Sequence, residues 1–378
     1  DLTGSSSSIE VELAIEAKLI ELQTNQELSA SGLFRTLFFE TPPGYQNKLV
    51  LTAHHLLIDS VSWQILLSDL ELIYGQLIRN EEIALSPKTI SYFNWGSRLI
   101  ELSESGEFDK EIPFWKEQIE LDKFPVDIDT HLPIDEQSIR TLNLDIDPAT
   151  TENMLRHSNE AYHTKTEELL ITALMLSFEK WANTRTLCLG LEKHGRKYNE
   201  LDLTNTVGWF TTFFPVLLKI EAGTDFKTAI ISVKEKLRNI PNEGIGFGVL
   251  RYLKKTGVLK QQPSVIFNFL GNQKSFDSTV LGKGKFIAKG VRALVSERFH
   301  LLEINASIKE GRLTFQFSYS DQFHKTETIE NLIKLFEDIL RRLIEHCSGR
   351  ETSHYSPSDF PEADLSQDDF DTLLNQIN

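Results

Sequence analysis

An alternating apolar segment at residues 48–55 ends on two histidines, and a helical pattern begins a few residues later. The segment is typical of a strand, and the apolar positions after Ser62 recur at helical spacing. Asp59 or Ser60 is suited to the N-cap of that helix. Because neighbouring side chains of a strand point to opposite faces, only one of His54 and His55 can be aimed at a given cleft. The pattern predicts an imidazole at a strand end, beside a helix start.

The rest of the chain mixes helical and strand periodicity, which predicts an α/β (α+β) fold class. The predicted helices lie at residues 7–22, 62–77, 92–102, 164–181, 329–345 and 366–374. The predicted strands lie at residues 34–40, 48–55, 140–146, 186–191, 207–220, 264–269, 300–308 and 312–320. A segment rich in Pro and Asp at residues 127–136 predicts a lobe boundary near residue 150. Residues 349–364 have the composition of a linker.

Size and charge exclude several functional classes. The 378 residues suffice for two cores of roughly 150 to 200 residues each. A net charge of −16 excludes nucleic acid as an expected partner, because phosphate binding needs clustered Lys and Arg. No apolar stretch approaches the ~20 residues that span a bilayer, so we expect no membrane partner and a cytoplasmic location. Two cysteines are too few for a disulfide framework, and their spacing is not that of a zinc site.

A second candidate for proton transfer lies at Glu192, where the apolar residues 187–191 end abruptly in charge. A carboxylate at a strand end serves as a general acid or base when its surroundings tune its pKa. The plainer alternatives are an ion pair between Glu192 and Arg196, and one of the tandem histidines as a buried structural residue. The aromatic residues near Trp209 have two interpretations as well, as core or as a substrate platform. No single motif decides among these alternatives.

The motifs taken together resemble a known family. The segment from His54 to Trp63 resembles the HHxxxDxVSW signature of the condensation-domain superfamily of nonribosomal peptide synthetases. Further segments, in order, are similar to elements of its epimerization subfamily. They are 168–173 (DxLLxA), 192–196 (EGHGR), 206–211 (TVGWFT), 241–248 (PxxGxGYG) and 267–271 (FNYLG). Residues 355–361 match the segment with which the family's domain usually ends. The resemblance covers essentially the whole chain.

The resemblance implies two chloramphenicol-acetyltransferase-like lobes in a V-shaped pseudodimer with a central tunnel. The N-terminal lobe would occupy residues 1–150, the C-terminal lobe residues 151–348, and a linker with a short terminal helix residues 349–378. The family's opening PIQxWF element has no counterpart before Asp1. We therefore expect the first lobe to be truncated, which puts its activity and its carrier binding in question.

The resemblance also implies an activity, the inversion from L to D of the Cα centre of an aminoacyl or peptidyl thioester. The substrate would be carried on the phosphopantetheine of an upstream peptidyl carrier protein, with no metal and no cofactor of the chain's own. A downstream synthetase module, reached through the C-terminal tail, is a further candidate partner. The implied catalytic pair is His55 and Glu192, and which of them deprotonates the L form stays open.

Seven more residues receive roles from the same resemblance. Asn268 would stabilise the enolate oxygen or position the substrate. The resemblance assigns three residues to structural support of the site and three to the lining of the substrate channel. The supporting residues are His54, Asp59 and Arg196, and the channel residues are Trp63, Trp209 and Phe269. Asp59 could cap the helix or hold an arginine.

Several positions depart from the family pattern. Lys193 replaces Gly, Asn205 replaces Arg, and Phe replaces Tyr at positions 214, 247 and 269. Phe269 has no hydroxyl to donate to an oxyanion, so that role passes to Asn268, a backbone amide or no group. Two rival functions stay open, a condensation domain that joins two carrier-bound substrates and a catalytically silent docking platform. Segments 192–196 and 267–271 argue against condensation, and the retained His55 and Glu192 against a silent platform.

Overall fold

A computed structural model of the chain describes most of its residues. The described residues are 2–4, 7–24, 28, 32–119, 124–130, 134–198, 201–255, 257, 259–273, 277–278, 281–284, 297–349, 353–363, 369–370 and 372. The terminal helix predicted at residues 366–374 lies outside them, apart from residues 369, 370 and 372. No helix in these ranges combines the length and the apolar character needed to cross a membrane.

Helices account for much of the described chain. They are α1 (Ser8–Thr24), α2 (Ser60–Ile78), α3 (Tyr92–Ser105), α4 (Ile112–Gln118), α5 (Pro148–Asn153), α6 (Asn159–Ala161), α7 (Thr166–Ala182), α8 (Phe226–Arg238), α9 (Ile245–Gly248) and α10 (Thr326–Ser348). Two π-helical turns follow α5 and α9, at Met154–Ser158 and Val249–Leu253.

The strands of the described residues form one large sheet and three two-stranded pairs. They are β1 (Phe34–Phe39), β2 (Lys48–Ala53), β3 (Ile134–Asp135), β4 (Ile139–Asp145), β5 (Thr186–Lys193), β6 (Thr212–Lys219), β7 (Val265–Asn272), β8 (Asp277–Ser278), β9 (Gly282–Lys283), β10 (Glu297–Arg298), β11 (Leu302–Lys309) and β12 (Arg312–Ser320). The predicted mixture of helices and strands is confirmed.

The chain forms two compact units. Unit 1 contains Asp1–Arg98, Arg196–Thr211 and Ser275–Ser296, and unit 2 contains Leu99–Gly195, Thr212–Lys274 and Glu297–Asn378. In unit 1, β1 and β2 pair antiparallel, and α1 packs against one face of this pair through a small apolar core. The lobe boundary expected near residue 150 stays a prediction.

Unit 2 is built on a six-stranded sheet with the order β4-β12-β11-β7-β5-β6. The β5–β7 and β7–β11 pairs are parallel, and the other pairs are antiparallel. Helices α7, α8 and α10 pack on the sheet. The helix-facing side is apolar, as Phe315 and Phe317 of β12 show by packing their rings against Phe336 of α10. The opposite side of the sheet carries polar residues on β4, β12 and β11, and we call it the open face.

Some predicted elements differ from the structure. The strand expected at residues 48–55 ends at Ala53, because His54 Nδ1 accepts a hydrogen bond from the Leu56 N–H and turns the chain. The extended run expected at residues 207–220 is a strand only from Thr212. Helix α8 has no counterpart among the predicted elements, although its N-cap Asp225 and its apolar spacing carry the signal of an amphipathic helix.

The ring of Phe336 supplies a test of the unit 2 core. Phe336 is fully buried, so we expect Phe336→Ala to lower the free energy of unfolding by about 3–5 kcal/mol through lost packing and a cavity. Phe93, which is 80% exposed, is the matched control, and Phe93→Ala should stay within about 0.5 kcal/mol of wild type. Urea unfolding followed by circular dichroism measures both. Equal losses in the two variants would contradict this account of the core.

Candidate active site

The two histidines have different surroundings at the end of β2. The His54 N–H donates to Leu33 O at 2.7 Å, and the His54 ring caps the short turn His55–Leu57. His55 is exposed, and its ring lies 5.2 Å from the ring of Trp209 in the same unit. His54 therefore shapes the turn, and His55 presents its imidazole beside an aromatic ring.

Asp59 is the centre of a buried hydrogen-bond network in unit 1. Its carboxylate caps α2 by accepting from the Ser62 N–H at 2.8 Å, and it also accepts from the Phe210 N–H at 3.1 Å. Arg196 donates to it through two nitrogens, at 2.6 and 2.9 Å. The side chains of Arg196 and Asp59 are only 5% and 3% exposed, respectively. Of the two roles expected for Asp59, capping the helix and holding an arginine, the structure shows both.

Arg196 connects this carboxylate to the 206–211 segment. Its guanidinium donates to Ser62 Oγ at 2.9 Å and to Thr206 O at 3.3 Å, and it lies 4.3 Å from the centre of the Phe210 ring. Burial acts to raise the pKa of Asp59, but the hydrogen bonds from Arg196, Ser62 and Phe210 outweigh it and hold this pKa below its ordinary value. Asp59 is therefore an ionised structural anchor.

Gly208 lets the 206–211 segment approach helix α3 closely. A Cβ atom at Gly208 would lie 2.3 Å from a ring carbon of Tyr92, so any side chain there would clash. Ser62 Oγ accepts from the Gly208 N–H at 3.0 Å and donates to Gly208 O at 2.9 Å, and Tyr92 Oη donates to Trp209 O at 2.8 Å. These bonds fix the backbone that carries Trp209, a residue that is 40% exposed.

The aromatic side chains of this region divide between core and surface. Phe210 and Phe214 are buried, in units 1 and 2 respectively, whereas Trp209 is exposed. Trp63 is half-buried, and its ring lies 6.3 Å from the ring of Phe34. The contacts of Tyr92 were not foreseen from the sequence, since Tyr92 belongs to no motif. The assignment of Trp63 and Trp209 to a substrate channel stays a prediction.

The second candidate group lies at the end of β5 in unit 2. Strands β5 and β7 are parallel, with Leu191 in register with Phe267. The next residue on each strand is Glu192 and Asn268, and Asn268 Nδ2 donates to Glu192 Oε2 at 3.0 Å. Both side chains are half-buried. The structure therefore brings Asn268 directly to the carboxylate, an orienting contact that the sequence did not predict.

The neighbours of these two residues point to the other side of the sheet. Lys193 forms an ion pair with Glu167 in the first turn of α7. Phe269 follows Asn268 along β7 and thus lies on the opposite face from it. Gly195, with φ of +64°, then turns the chain toward Arg196. His55 belongs to unit 1 and Glu192 to unit 2, and their facing across one passage stays a prediction.

The candidate groups suit proton transfer. An imidazole and a carboxylate are the side chains that most often accept and return a proton in general acid–base chemistry. Within the described ranges, no group of three or more His, Cys, Asp or Glu side chains has the arrangement needed to hold a metal ion.

Comparison with known proteins identifies relatives over almost the whole chain. The family model described as "Condensation domain" matches residues 3–366. Tyrocidine synthase 2 of Brevibacillus parabrevis is 34% identical over 382 residues, which cover 96% of this chain and 10% of that protein. Bacitracin synthase 2 of Bacillus licheniformis is 32% identical over 389 residues, with coverages of 97% and 14%. The chain thus spans a small part of the length of these relatives.

Solved structures show the same fold. The epimerization domain from the third module of tyrocidine synthetase B is 34% identical, with a TM-score of 0.76, and the match covers 89% of this chain and 78% of that one. The condensation domain from Monacolin K polyketide synthase MokA has a TM-score of 0.70 over 89% of this chain and 78% of that one. Its identity is 14%, so it shows the fold alone. These matches confirm the predicted resemblance and the acetyltransferase-like fold class.

The buried pair of Asp59 and Arg196 makes a testable contribution to stability. Because Asp59→Asn leaves the guanidinium without its charge partner, we expect a loss of about 3–5 kcal/mol in the free energy of unfolding. The matched control is Glu81→Gln, which breaks a pair with Arg79 whose side chains are half exposed, and no measurable change is expected. Urea unfolding at pH 7 measures both.

The difference in unfolding free energy between wild type and Asp59→Asn should depend on pH in a defined direction. The pKa of Asp59 is lowered in the folded protein, so the stability it contributes is complete above its ordinary value of 3.8. That stability is lost as the pH falls through the lower, folded-state value. The gap between wild type and Asp59→Asn should therefore be constant above about pH 5 and shrink only below about pH 4. A gap that closes near neutral pH would contradict this assignment.

Proposed function

This chain belongs to the condensation domain family, and we propose that its reaction is epimerization. The substrate would be an aminoacyl or peptidyl thioester on the phosphopantetheine of an upstream carrier protein, and the Cα centre would change from L to D. The observation that carries the proposal is the carboxylate of Glu192, held at a strand end by the Asn268 amide at 3.0 Å. The likeness to an epimerization domain at 34% identity supports it.

The chemistry of inversion needs two proton-transfer groups. A thioester makes the α-hydrogen acidic, and inversion requires a proton to leave one side of Cα and another to arrive on the opposite side. We assign His55 and Glu192 to these two steps. The exposed imidazole of His55 rests beside Trp209, and the half-buried Glu192 is oriented by its amide neighbour. Joining two substrates, as a condensation domain does, has no step that requires such a held carboxylate.

Asn268 is proposed to serve both the carboxylate and the enolate. A carboxamide carries two N–H donors on one nitrogen. One N–H of Asn268 is directed to Glu192, and we assign the other to the developing enolate oxygen. Phe269 cannot share this role because it has no hydroxyl. Substrate delivery is assigned to the carrier protein, and contact with a downstream synthetase module to the C-terminal tail.

The deciding experiment follows exchange at Cα in deuterated water. A panel of L-aminoacyl carrier proteins is incubated with the protein, and the released amino acid is analysed for chirality and mass. Deuterium uptake with mixed L and D product is the expected result. A condensation domain would instead give a dipeptide, and only when an acceptor carrier is supplied. A silent docking platform would give neither product.

Two variants test the assigned pair. We expect His55→Ala and Glu192→Gln each to slow Cα exchange by about 10²- to 10⁴-fold, because each removes one proton-transfer group. The matched controls are His157→Ala and Glu221→Gln, which change exposed residues of the same types. The controls should exchange deuterium at the wild-type rate. A Glu192→Gln variant with wild-type exchange would remove the carboxylate from the mechanism.

A third variant tests the role of Asn268 in orienting Glu192. Asn268→Asp places a second carboxylate about 3 Å from the first, and two adjacent like charges disfavour ionisation of both. We expect the acidic limb of the pH–rate profile for exchange to move to higher pH. Asn268→Ser adds no charge and removes only the amide donor, so it should lower the rate and move that limb less than Asn268→Asp does. Identical profiles for Asn268→Asp and wild type would contradict the orienting role.

A further inference from the structure

A row of side-chain amides crosses the open face of the unit 2 sheet. Asn268 of β7 is in register with Asn305 of β11, which is in register with Gln316 of β12. Gln316 is in turn in register with Asn143 of β4. We call these four residues the amide row. Its first member donates to Glu192 on β5, so the row begins at the proposed reacting carboxylate.

The face on which the row lies follows from its neighbours. Gln316 stands between Phe315 and Phe317, whose rings pack on α10. Since side chains alternate along a strand, Gln316 points away from the helices, and the residues in register with it do the same. Gln316 and Asn143 are exposed, and Asn305 is half-buried. The row is therefore a surface feature of unit 2.

The four members of the row share one chemistry. All are neutral carboxamides, and Asn305 already donates to Glu303 of its own strand at 3.4 Å. The flanking hydroxyls are already paired, Thr141 with Ser318 at 3.2 Å and Ser307 with Thr314 at 3.1 Å. Within the described part of the chain, the side-chain amides of Asn143 and Gln316 make no hydrogen bond. We call Asn143 and Gln316 the outer row. Their carboxamides offer both donors and acceptors to a ligand.

The length and direction of the row limit what it can bind. Four strand spacings of about 4.8 Å separate β5 from β4, a span of about 19 Å. An extended peptide rises about 3.3 Å per residue, so this span matches about six residues. On the other side of Glu192 the residue in register is Phe213, an aromatic, so the row extends to one side only.

A phosphopantetheine arm also carries amides and could lie along the amide row. Its phosphate would then need a cation at the end of the row that is farthest from Glu192. The residues that flank Gln316 and Asn143 on the open face come from two strands. On β12 they are Thr314 and Ser318, and on β4 they are Thr141 and Asp145. None of these is a cation, and Asp145 would repel a phosphate. The charge pattern beside the outer row therefore favours a neutral peptide over the pantetheine phosphate.

We propose that the amide row binds the extended peptidyl chain upstream of the residue that is inverted. Backbone N–H and C=O groups of the peptide pair with the side-chain amides, so binding is insensitive to peptide sequence. The inference rests on the proposed function, and it makes a peptidyl carrier a better substrate than an aminoacyl carrier.

The test compares two substrates in the full chain. One is a carrier protein loaded with a single L-amino acid, and the other carries a hexapeptide that ends in the same residue at its thioester. The double variant Asn143→Ala/Gln316→Ala removes the two amides that make no hydrogen bond within the described part of the chain. Loss of two hydrogen bonds should raise KM for the peptidyl substrate about tenfold and leave KM for the aminoacyl substrate and both kcat values unchanged. The control is Arg312→Ala, a cation on the same face of β12 but four residues from Gln316, which should leave both KM values unchanged.

Binding is measured separately, by fluorescence anisotropy with labelled alanyl- and hexa-alanyl-pantetheine. Tighter binding of the hexapeptide that is lost in the double variant supports the inference, even if wild type shows no Cα exchange and the proposed function fails. Equal weakening of both ligands would assign the row to the pantetheine arm and overturn the inference. Unchanged affinities for both ligands would show an ordinary solvated face and overturn it as well. A folded double variant is verified by its urea unfolding midpoint.

Discussion

The buried ion pair between Asp59 and Arg196 is the interaction on which the organisation of unit 1 depends. Two charges withdrawn from water are tolerated when each is paired and when further hydrogen bonds replace most of those lost from water. Here the carboxylate also caps α2 and holds the Phe210 N–H, and the guanidinium also contacts Ser62 and Thr206. One pair therefore fixes a helix start and the loop that carries Trp209, and His55 rests against that tryptophan.

In unit 2, backbone pairing performs the corresponding task. The parallel register of β5 and β7 places Glu192 beside Asn268, and the pairing continues across the sheet to the amide row. A slip of one residue in any of these pairs would send the affected side chains to the helix-facing side. The precision of this region comes from the main chain, which is why its polar side chains can remain partly exposed and still hold defined positions.

Local signals predicted much of this arrangement. The strand that leads to the histidines, a helix cap at Asp59 or Ser60, and the strand that leads to Glu192 all follow from periodicity and capping chemistry within a few residues. The partner of Asp59 lies 137 residues away along the chain, and nothing in the local pattern selects it. The amide row was invisible for the same reason, since its members come from strands paired by long-range register. The turn at His55 was missed because a side chain, not the strand pattern, sets it.

The contact between Gly208 and Tyr92 bears on how this protein can be re-engineered. The ring of Tyr92 occupies the volume that any side chain at position 208 would need. A larger residue at position 208 therefore requires a smaller one at position 92. A library that randomises the loop alone would return almost only glycine there. Varying both positions together, with a small residue replacing the tyrosine, is the route by which a bulkier loop residue could be accommodated, and with it a differently shaped surface around Trp209.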